Sequence, residues 1–330
     1  MRPLLQRRLD QVSRSFALCI PQLDSPFQDR VALAYLLFRV LDTVEDAPFT
    51  DRELQQSQFA TMRNFLRVQP TAVELSRFCN AFPAQIAEGE RALLGDTGTL
   101  FEDAYALPPA VRKAMFYAID RMALGMAAYA RRPTPLRLVD LEDVTRYCCF
   151  VAGLVGEMLT ELWAFDSAAP APRFALAYHF GVFLQKVNIL KDQDEDEMAG
   201  RFLVPDYTAL CASLRADACG ALAYLQALPR TERGYRTFCA WALMMGLVTI
   251  AQLDKPRQSR RAQTQELLAH TAEIACDNAA LGRQFVELMP ELPDVEPQRA
   301  RSKPESSMWF RNTLLAPLSE AELAAIGIAI

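Results

Sequence analysis

Val31–Asp46 reads VALAYLLFRVLDTVED and Phe180–Asp196 reads FGVFLQKVNILKDQDED. Each is a largely apolar run ending on the same pattern, Asp-x-x-Glu-Asp: Asp42-Thr43-Val44-Glu45-Asp46 and Asp192-Gln193-Asp194-Glu195-Asp196. Apolar residues at helical spacing predict buried helices. Residues four apart lie only about 40° apart around a helix axis, so the two aspartates of each copy share a face. Two such helices facing each other bring four or more carboxylates together, and these repel unless a cation intervenes. Mg²⁺, with Mn²⁺ as an alternative, suits that need, because it prefers oxygen ligands and brings substrate phosphates with it. The paired motifs therefore point to a metal–diphosphate site beside an apolar pocket. A single acidic cluster is more often a solvated helix end. Repetition, with a cation just upstream of each copy (Arg39 and Lys191), shifts the reading toward metal.

The remaining segments read the same way. Helix-type spacing recurs in Glu74–Leu94, Pro109–Ala130, Asp140–Phe165, Arg173–Lys191, Tyr207–Leu228, Thr231–Leu253 and Arg261–Leu288, with prolines between runs. Alternating strand patterns are nearly absent. Asp140–Phe165 and Thr231–Leu253 are apolar on more than one face and belong inside a bundle. The expected fold is a single all-α domain over residues 1–290 around a central apolar cavity, with 291–330 a partly flexible extension.

Bulk properties narrow the function. The chain has 330 residues, 51% of them hydrophobic, and a net charge of −5. That balance argues against nucleic-acid partners. Eight cysteines without a C-x-x-C pair, and only two histidines, predict free buried thiols rather than a zinc site or disulfide framework. The 17-residue uncharged run Thr237–Leu253 falls short of a membrane span and reads as a core helix.

Other residues carry weaker signals. Ser13-Arg14-Ser15-Phe16 is either a capped helix start or, with Arg39, a grip on phosphate oxygens. Gln185, Asn188 and Asp192 share one helical stripe and suit oxygen ligation or contact with a metal-bound phosphate. Arg201, after Gly200, reads as a surface arginine or a second phosphate contact. Gly153 and Gly156, inside Tyr147–Gly156, serve either close helix packing or room for a ligand chain. The Tyr147 ring or hydroxyl suits a cationic reactive centre. Lys255, Arg257, Arg260 and Arg261 form a solvated loop or an anion site. No dinucleotide-binding glycine motif or P-loop occurs.

In order, SRSF at 13–16, Arg39 with LDTVED at 41–46, YCCFVAGLVGE at 147–157, FLQKVNILKDQDED at 183–196 and GRFLVP at 200–205 resemble the squalene synthase and phytoene synthase family of head-to-head prenyl transferases. The resemblance runs from about Ser13 to Leu253. DTVED, VAGLVG and FLQKVNILKD follow the wording of the squalene branch.

The resemblance implies an isoprenoid-synthase bundle. It also implies condensation of two farnesyl diphosphates to presqualene diphosphate, then NADPH-dependent rearrangement to squalene. It assigns Asp42, Glu45, Asp46, Asn188, Asp192 and Asp196 to Mg²⁺. Ser13, Arg14, Ser15, Tyr35, Arg39, Gln185, Lys191 and Arg201 fall to the diphosphates, and Tyr147 to proton handling. Phe16, Phe150 and Phe183, with Tyr35, fall to the walls of the cation pocket. Lys255 and Arg257 are the candidates for NADPH. Three positions depart from the family wording: Ala47 replaces a third acid, Lys191 replaces an arginine, and AQLDKPRQSRR follows Ile250 in place of a polar stretch. The chain shows no counterpart of the eukaryotic C-terminal anchor, so the expectation is a monomeric, bacterial-type cytoplasmic enzyme with peripheral contact at the inner membrane face. The rival readings are a dehydrosqualene or phytoene synthase without the hydride step, and a non-catalytic relative acting as a binding protein.

Overall fold

Helix-forming periodicity and well-placed stop signals turn most of the chain into helices. The computed structural model describes residues 1–13, 15–253 and 260–290, with the backbone alone for 260–263. The first half comprises α1 (Pro3–Val12), α2 (Phe16–Cys19), α3 (Phe27–Asp46), α4 (Arg52–Phe65), α5 (Ala72–Asn80), α6 (Glu88–Gly95), α7 (Thr97–Tyr105) and α8 (Pro109–Ala130). The second half comprises α9 (Leu141–Cys148), a π-helical turn (Cys149–Gly153), α10 (Leu154–Ala164), α11 (Phe174–Lys191), α12 (Gln193–Met198), α13 (Tyr207–Ala227), α14 (Arg233–Ile250), α15 (Arg260–Ile274) and α16 (Asn278–Leu288). Two short strands, β1 (Leu136–Arg137) and β2 (Arg201–Phe202), pair in parallel with Leu136 opposite Arg201 and Arg137 opposite Phe202.

Helix α11 is the hub, packing on α13, α10, α14, α9 and the π-helical turn, while α3 packs on α1, α7, α8 and α10. The approach of α10 to α11 explains the glycines. A Cβ on Gly156 would lie 2.2 Å from the Ala177 carbonyl oxygen, and one on Gly181 would lie 2.2 Å from that of Ala152. A Cβ on Gly153 would meet the Tyr178 ring at 2.6 Å. Gly153 and Gly156 thus serve helix packing. The segment Leu141–Ala164 is long and apolar enough to cross a membrane by length and composition, but 61% of its most apolar window is buried inside the protein. Thr237–Ile250 is likewise largely buried within α14. All eight cysteines are free, and five of them are buried.

The all-α architecture agrees with expectation, and several boundaries do not. Glu74–Leu94 is two helices separated by the Ala81–Ala87 link, which contains Pro83. Arg261–Leu288 is also two, with Asp277 capping α16 through its carboxylate. Asp140–Phe165 carries the π-helical turn midway, which periodicity does not reveal. Helices α1, α4 and α7 were absent from the expectation because their apolar stripes are short.

Candidate active site

The C-terminal end of α3 supplies the first acidic motif. Asp42 is half-buried beside Arg39, whose Nη1 donates to Asp42 Oδ2 at 3.1 Å. Burial pushes the Asp42 carboxyl up to about 6, with Arg39 pulling it back. Burial pushes Glu45 further, up to about 8, opposed first by Arg201. Asp46 is exposed at the tip. These carboxylates are crowded and short of positive charge, the situation that an oxygen-binding divalent cation relieves.

The second motif differs from expectation. It does not end a continuous helix: α11 stops at Lys191, Asp192 stands at the junction, and α12 restarts at Gln193. The Asp196 N–H still donates to the Asp192 carbonyl at 2.9 Å, so the four-residue relation survives across the joint. Lys191 Nζ lies 3.0 Å from Asp192 Oδ2 and donates to Asn188 Oδ1 at 3.3 Å. Burial raises the Asp196 carboxyl above its ordinary range, against the pull of Arg201.

Arg201, on β2, joins the two motifs. Its Nη1 donates to Asp46 Oδ1 at 2.6 Å, and its Nε stands 3.5 Å from Asp196 Oδ1. Its Nη2 donates to the Tyr147 hydroxyl at 3.2 Å. Tyr147 is 1% exposed, and its hydroxyl donates to Glu45 Oε1 at 3.4 Å. Burial, and after it the Glu45 carboxylate, hold that hydroxyl well above the ordinary tyrosine range. Tyr147 is therefore a protonated phenol at neutral pH. Among the described residues, no three His, Cys, Asp or Glu side chains already close on one point. The guanidinium of Arg201 holds the motifs together instead, and the surrounding donors are oxygens that suit Mg²⁺.

Arg39 is anchored from a direction its motif does not predict. Its Nη2 pairs with Glu90 on α6, while Thr43 Oγ1 donates to Glu90 Oε2 at 3.1 Å and to the Arg39 carbonyl at 2.8 Å. The Nε atoms of Arg39 and Arg201 are both buried without a hydrogen bond. Buried donors normally find acceptors, so two such arginines at one acidic site fit an anionic ligand.

Phe16 and Tyr35, with ring centroids 5.4 Å apart, continue through Phe238 (6.3 Å from Phe16) to Tyr235, 6.1 Å further on. This aromatic run starts one helical turn from Arg39. Burial raises the Tyr35 hydroxyl, and Ser13 partly offsets it. Ser13 also accepts from the Phe16 N–H at 3.1 Å, whereas Ser15 is exposed. Phe150 and Phe183 lie in packing seams. Phe150 sits over Gly125 of α8, and Phe183, 0% exposed, against Gly246 of α14. Gln185 is half-buried on α11. Arg14, Lys255 and Arg257 lie outside the described residues, as does the 291–330 extension.

Sequence reasoning missed Glu90, Tyr129, Arg132 and Asp143. The Tyr129 ring meets that of Tyr147 edge-on, at 5.0 Å and 73°, and its hydroxyl donates to Asp143 Oδ1 at 3.1 Å. These residues lie outside any repeated motif; only the place of Asp143, an acid in the first helical turn three residues after the capping Asp140, is a readable signal.

Known proteins are similar to this chain in sequence and in fold. Squalene synthase of Schizosaccharomyces pombe is 29% identical over 310 residues, covering 82% of this chain and 65% of that protein. Human squalene synthase is 26% identical over 330 residues, covering 89% and 75%. That of Ganoderma lucidum is 32% identical over 215 residues, covering 62% and 44%. The chain therefore spans just under two thirds of the yeast relative's length and less than half of the Ganoderma one's. The solved complex of TcSQS with the ligand BPH1237 superposes with a TM-score of 0.72 over 98% of each chain at 23% identity, which shows a common fold. The model of the family described as squalene/phytoene synthase matches residues 9–218. With more than half of its length inside that match, the chain belongs to the squalene/phytoene synthase family.

Proposed function

We propose that this protein joins two farnesyl diphosphates head to head into presqualene diphosphate and reduces that intermediate to squalene, using Mg²⁺ and NADPH. The observation that carries the reading is the meeting of both acidic motifs at Arg201, beside the buried Tyr147 hydroxyl. The relatives named squalene synthase support the same reading, aligning with 82% and 89% of the chain in the yeast and human proteins.

Asp42, Glu45, Asp46, Asn188, Asp192 and Asp196 are the residues assigned to the metal. When bound, Mg²⁺ neutralises diphosphate charge and so improves the leaving group. The Nε donors of Arg39 and Arg201, which make no hydrogen bond within the protein, are assigned to diphosphate oxygens, which stabilises charge as it develops on the departing group. Lys191, Gln185, Ser13, Ser15 and Arg14 complete the diphosphate contacts. The run of Phe16, Tyr35, Phe238 and Tyr235 holds the apolar chains and excludes water, so the allylic cation meets the second substrate's double bond rather than a water molecule. Closure of the cyclopropane releases a proton. The Tyr147 hydroxyl, hydrogen-bonded to Arg201 and Glu45, is the group assigned to guide that proton to the departing diphosphate, whose oxygens accept it. NADPH supplies the hydride for the second half, with Lys255 and Arg257 assigned to its phosphates. Residues 1–290 form the catalytic domain in this reading and 291–330 an extension. The apolar product suits peripheral contact with a membrane.

The test is product analysis by mass spectrometry after incubation with farnesyl diphosphate and Mg²⁺, with and without NADPH. Squalene only with NADPH, and presqualene diphosphate without it, is the expected result. Dehydrosqualene regardless of NADPH moves the protein to the carotenoid branch. Absence of diphosphate release from farnesyl and geranylgeranyl substrates overturns catalysis altogether.

A further inference from the structure

Asp143 lies in the first turn of α9, 5% exposed, and its carboxylate is saturated with donors. Arg132 grips it bidentately, Nη1 to Oδ2 at 2.6 Å and Nη2 to Oδ1 at 2.8 Å. The Tyr129 hydroxyl donates to Oδ1 at 3.1 Å and the Val139 N–H to Oδ2 at 3.1 Å. Its own N–H donates to the capping Asp140 carboxylate at 2.8 Å. Such density of bonds on one buried carboxylate exceeds what a helix start requires.

Two branches leave this point and meet again. In the first, Tyr129, pinned by Asp143 and covered by the Arg132 guanidinium 4.1 Å from its ring centroid, sets its edge against Tyr147 at 5.0 Å. In the second, the Val139 N–H bond holds the end of the β1 segment. Leu136 and Leu138 N–H groups then donate to the Gly200 and Phe202 carbonyls at 2.9 and 3.0 Å, bracketing Arg201 on both sides. The branches close where Arg201 Nη2 donates to the Tyr147 hydroxyl at 3.2 Å.

We propose that Asp143 is a positioning residue for the condensation: through Tyr129 on one side and β1 on the other, it sets the hydrogen bond between Arg201 and Tyr147. The proposal rests on the reading of Tyr147 as the group that handles the proton. An edge-on aromatic contact and a backbone bracket each fix a side chain to a fraction of an ångström. Misplacement on that scale near reacting atoms costs rate rather than affinity.

The experiment is a double-variant cycle on the full-length protein, following presqualene diphosphate formation from farnesyl diphosphate with Mg²⁺ and without NADPH. Asp143→Ala is expected to lower kcat by about 50-fold, on the scale of a misplaced reacting group. Its KM, and its affinity for unreactive farnesyl thiodiphosphate by calorimetry, should stay within about threefold of wild type. In a Tyr147→Phe background the same substitution should cost no more than about threefold, because the bond it sets is already gone. Asp143→Asn keeps one acceptor oxygen, for either Tyr129 or Val139, and sets an amide NH2 against the other donor, so its kcat should fall between those of Asp143→Ala and wild type. Should Asp143→Ala not fold, Tyr129→Phe removes a single hydroxyl, and a kcat loss that vanishes in the Tyr147→Phe background supports the proposal equally. Equal losses in both backgrounds, or a loss carried by KM, overturn it alone. A wild-type rate in Tyr147→Phe by itself overturns the reading of Tyr147, and this proposal with it.

Discussion

Arg201 Nη2 donates to the Tyr147 hydroxyl at 3.2 Å while Nη1 of the same guanidinium donates to Asp46 at 2.6 Å. One planar side chain therefore ties β2 to the end of α3 and to α9, and a point charge cannot reproduce that fork. Arg201→Lys should retain under a tenth of wild-type turnover, and Arg201→Ala should lose about 100-fold, the usual scale for removing one preorganised donor. Steady-state diphosphate release measures both. Turnover in Arg201→Lys close to wild type would sink the assignment.

Asp42→Ala and Asp192→Ala should each abolish diphosphate release and leave the fold intact. Arg39 keeps its Glu90 partner when Asp42 is lost, and Lys191, which is exposed, keeps Asn188 when Asp192 is lost, so neither change strands a buried charge. Thermal melts within a few degrees of wild type, together with absent turnover, are the expected pair of results. Retained turnover in either variant counts against the metal-site reading.

The Lys186–Asp217 pair is a stability element away from the acidic motifs. Lys186, 2% exposed, donates to Asp217 at 2.6 Å and to Ser213 at 2.9 Å, and His179 Nδ1 lies 2.8 Å from the other Asp217 oxygen. Asp217→Ala leaves Lys186 buried and unpaired, and should cost about 3–5 kcal/mol in denaturant unfolding. Joining it with Lys186→Met should recover most of that loss. A cost below about 1 kcal/mol for Asp217→Ala alone would refute the account.

The same pair has a pH signature. Burial pushes the Asp217 carboxyl up, but Lys186 and His179 outweigh it, and the net value lies below the ordinary carboxylate range. The unfolded chain then binds more protons than the folded one between the two values. The stabilisation is complete above the unfolded aspartate value of about 3.9 and disappears as pH falls through the lower folded value. Denaturant midpoints from pH 7 down to pH 3 should fall less steeply at the acid end in Asp217→Asn than in wild type. Parallel curves would contradict the linkage.

Gly156→Ala adds a methyl group where the Ala177 carbonyl oxygen stands 2.2 Å away, and backbone cannot step aside as a side chain can. The change should destabilise by about 1–3 kcal/mol through overpacking. Gly95→Ala, whose added Cβ has nothing within 4 Å, is the control and should be neutral or slightly stabilising. Equal melting temperatures for the two variants would show that the α10–α11 seam tolerates the methyl.

Much of the helical scaffold was legible in the chain. Pro109–Ala130 matches α8 end to end, because a proline at the first helical position and a long apolar stripe both mark it. Glu74–Leu94 was misread as one helix because apolar spacing continued across the Pro83 break. The π-helical turn at Cys149–Gly153 leaves no mark, since one extra residue in a turn alters register and not composition.

The sequence by itself determined the all-α class, the two acidic helix ends and the presence of Arg39, Tyr147 and Arg201 in motifs of one family. Periodicity, repetition and motif wording are properties of neighbouring residues, so they survive in a linear reading. The tertiary structure alone decided which groups meet. Glu90 holds Arg39 across 51 residues, and Arg201 reaches Asp46 across 155. It also set Asp143 behind both Tyr147 and Arg201. Ion pairs and edge-on ring contacts have no preferred sequence separation. Their partners are chosen by how α3, α9, α11 and the β1–β2 pair pack, and that packing follows from burying the apolar faces of all the helices at once.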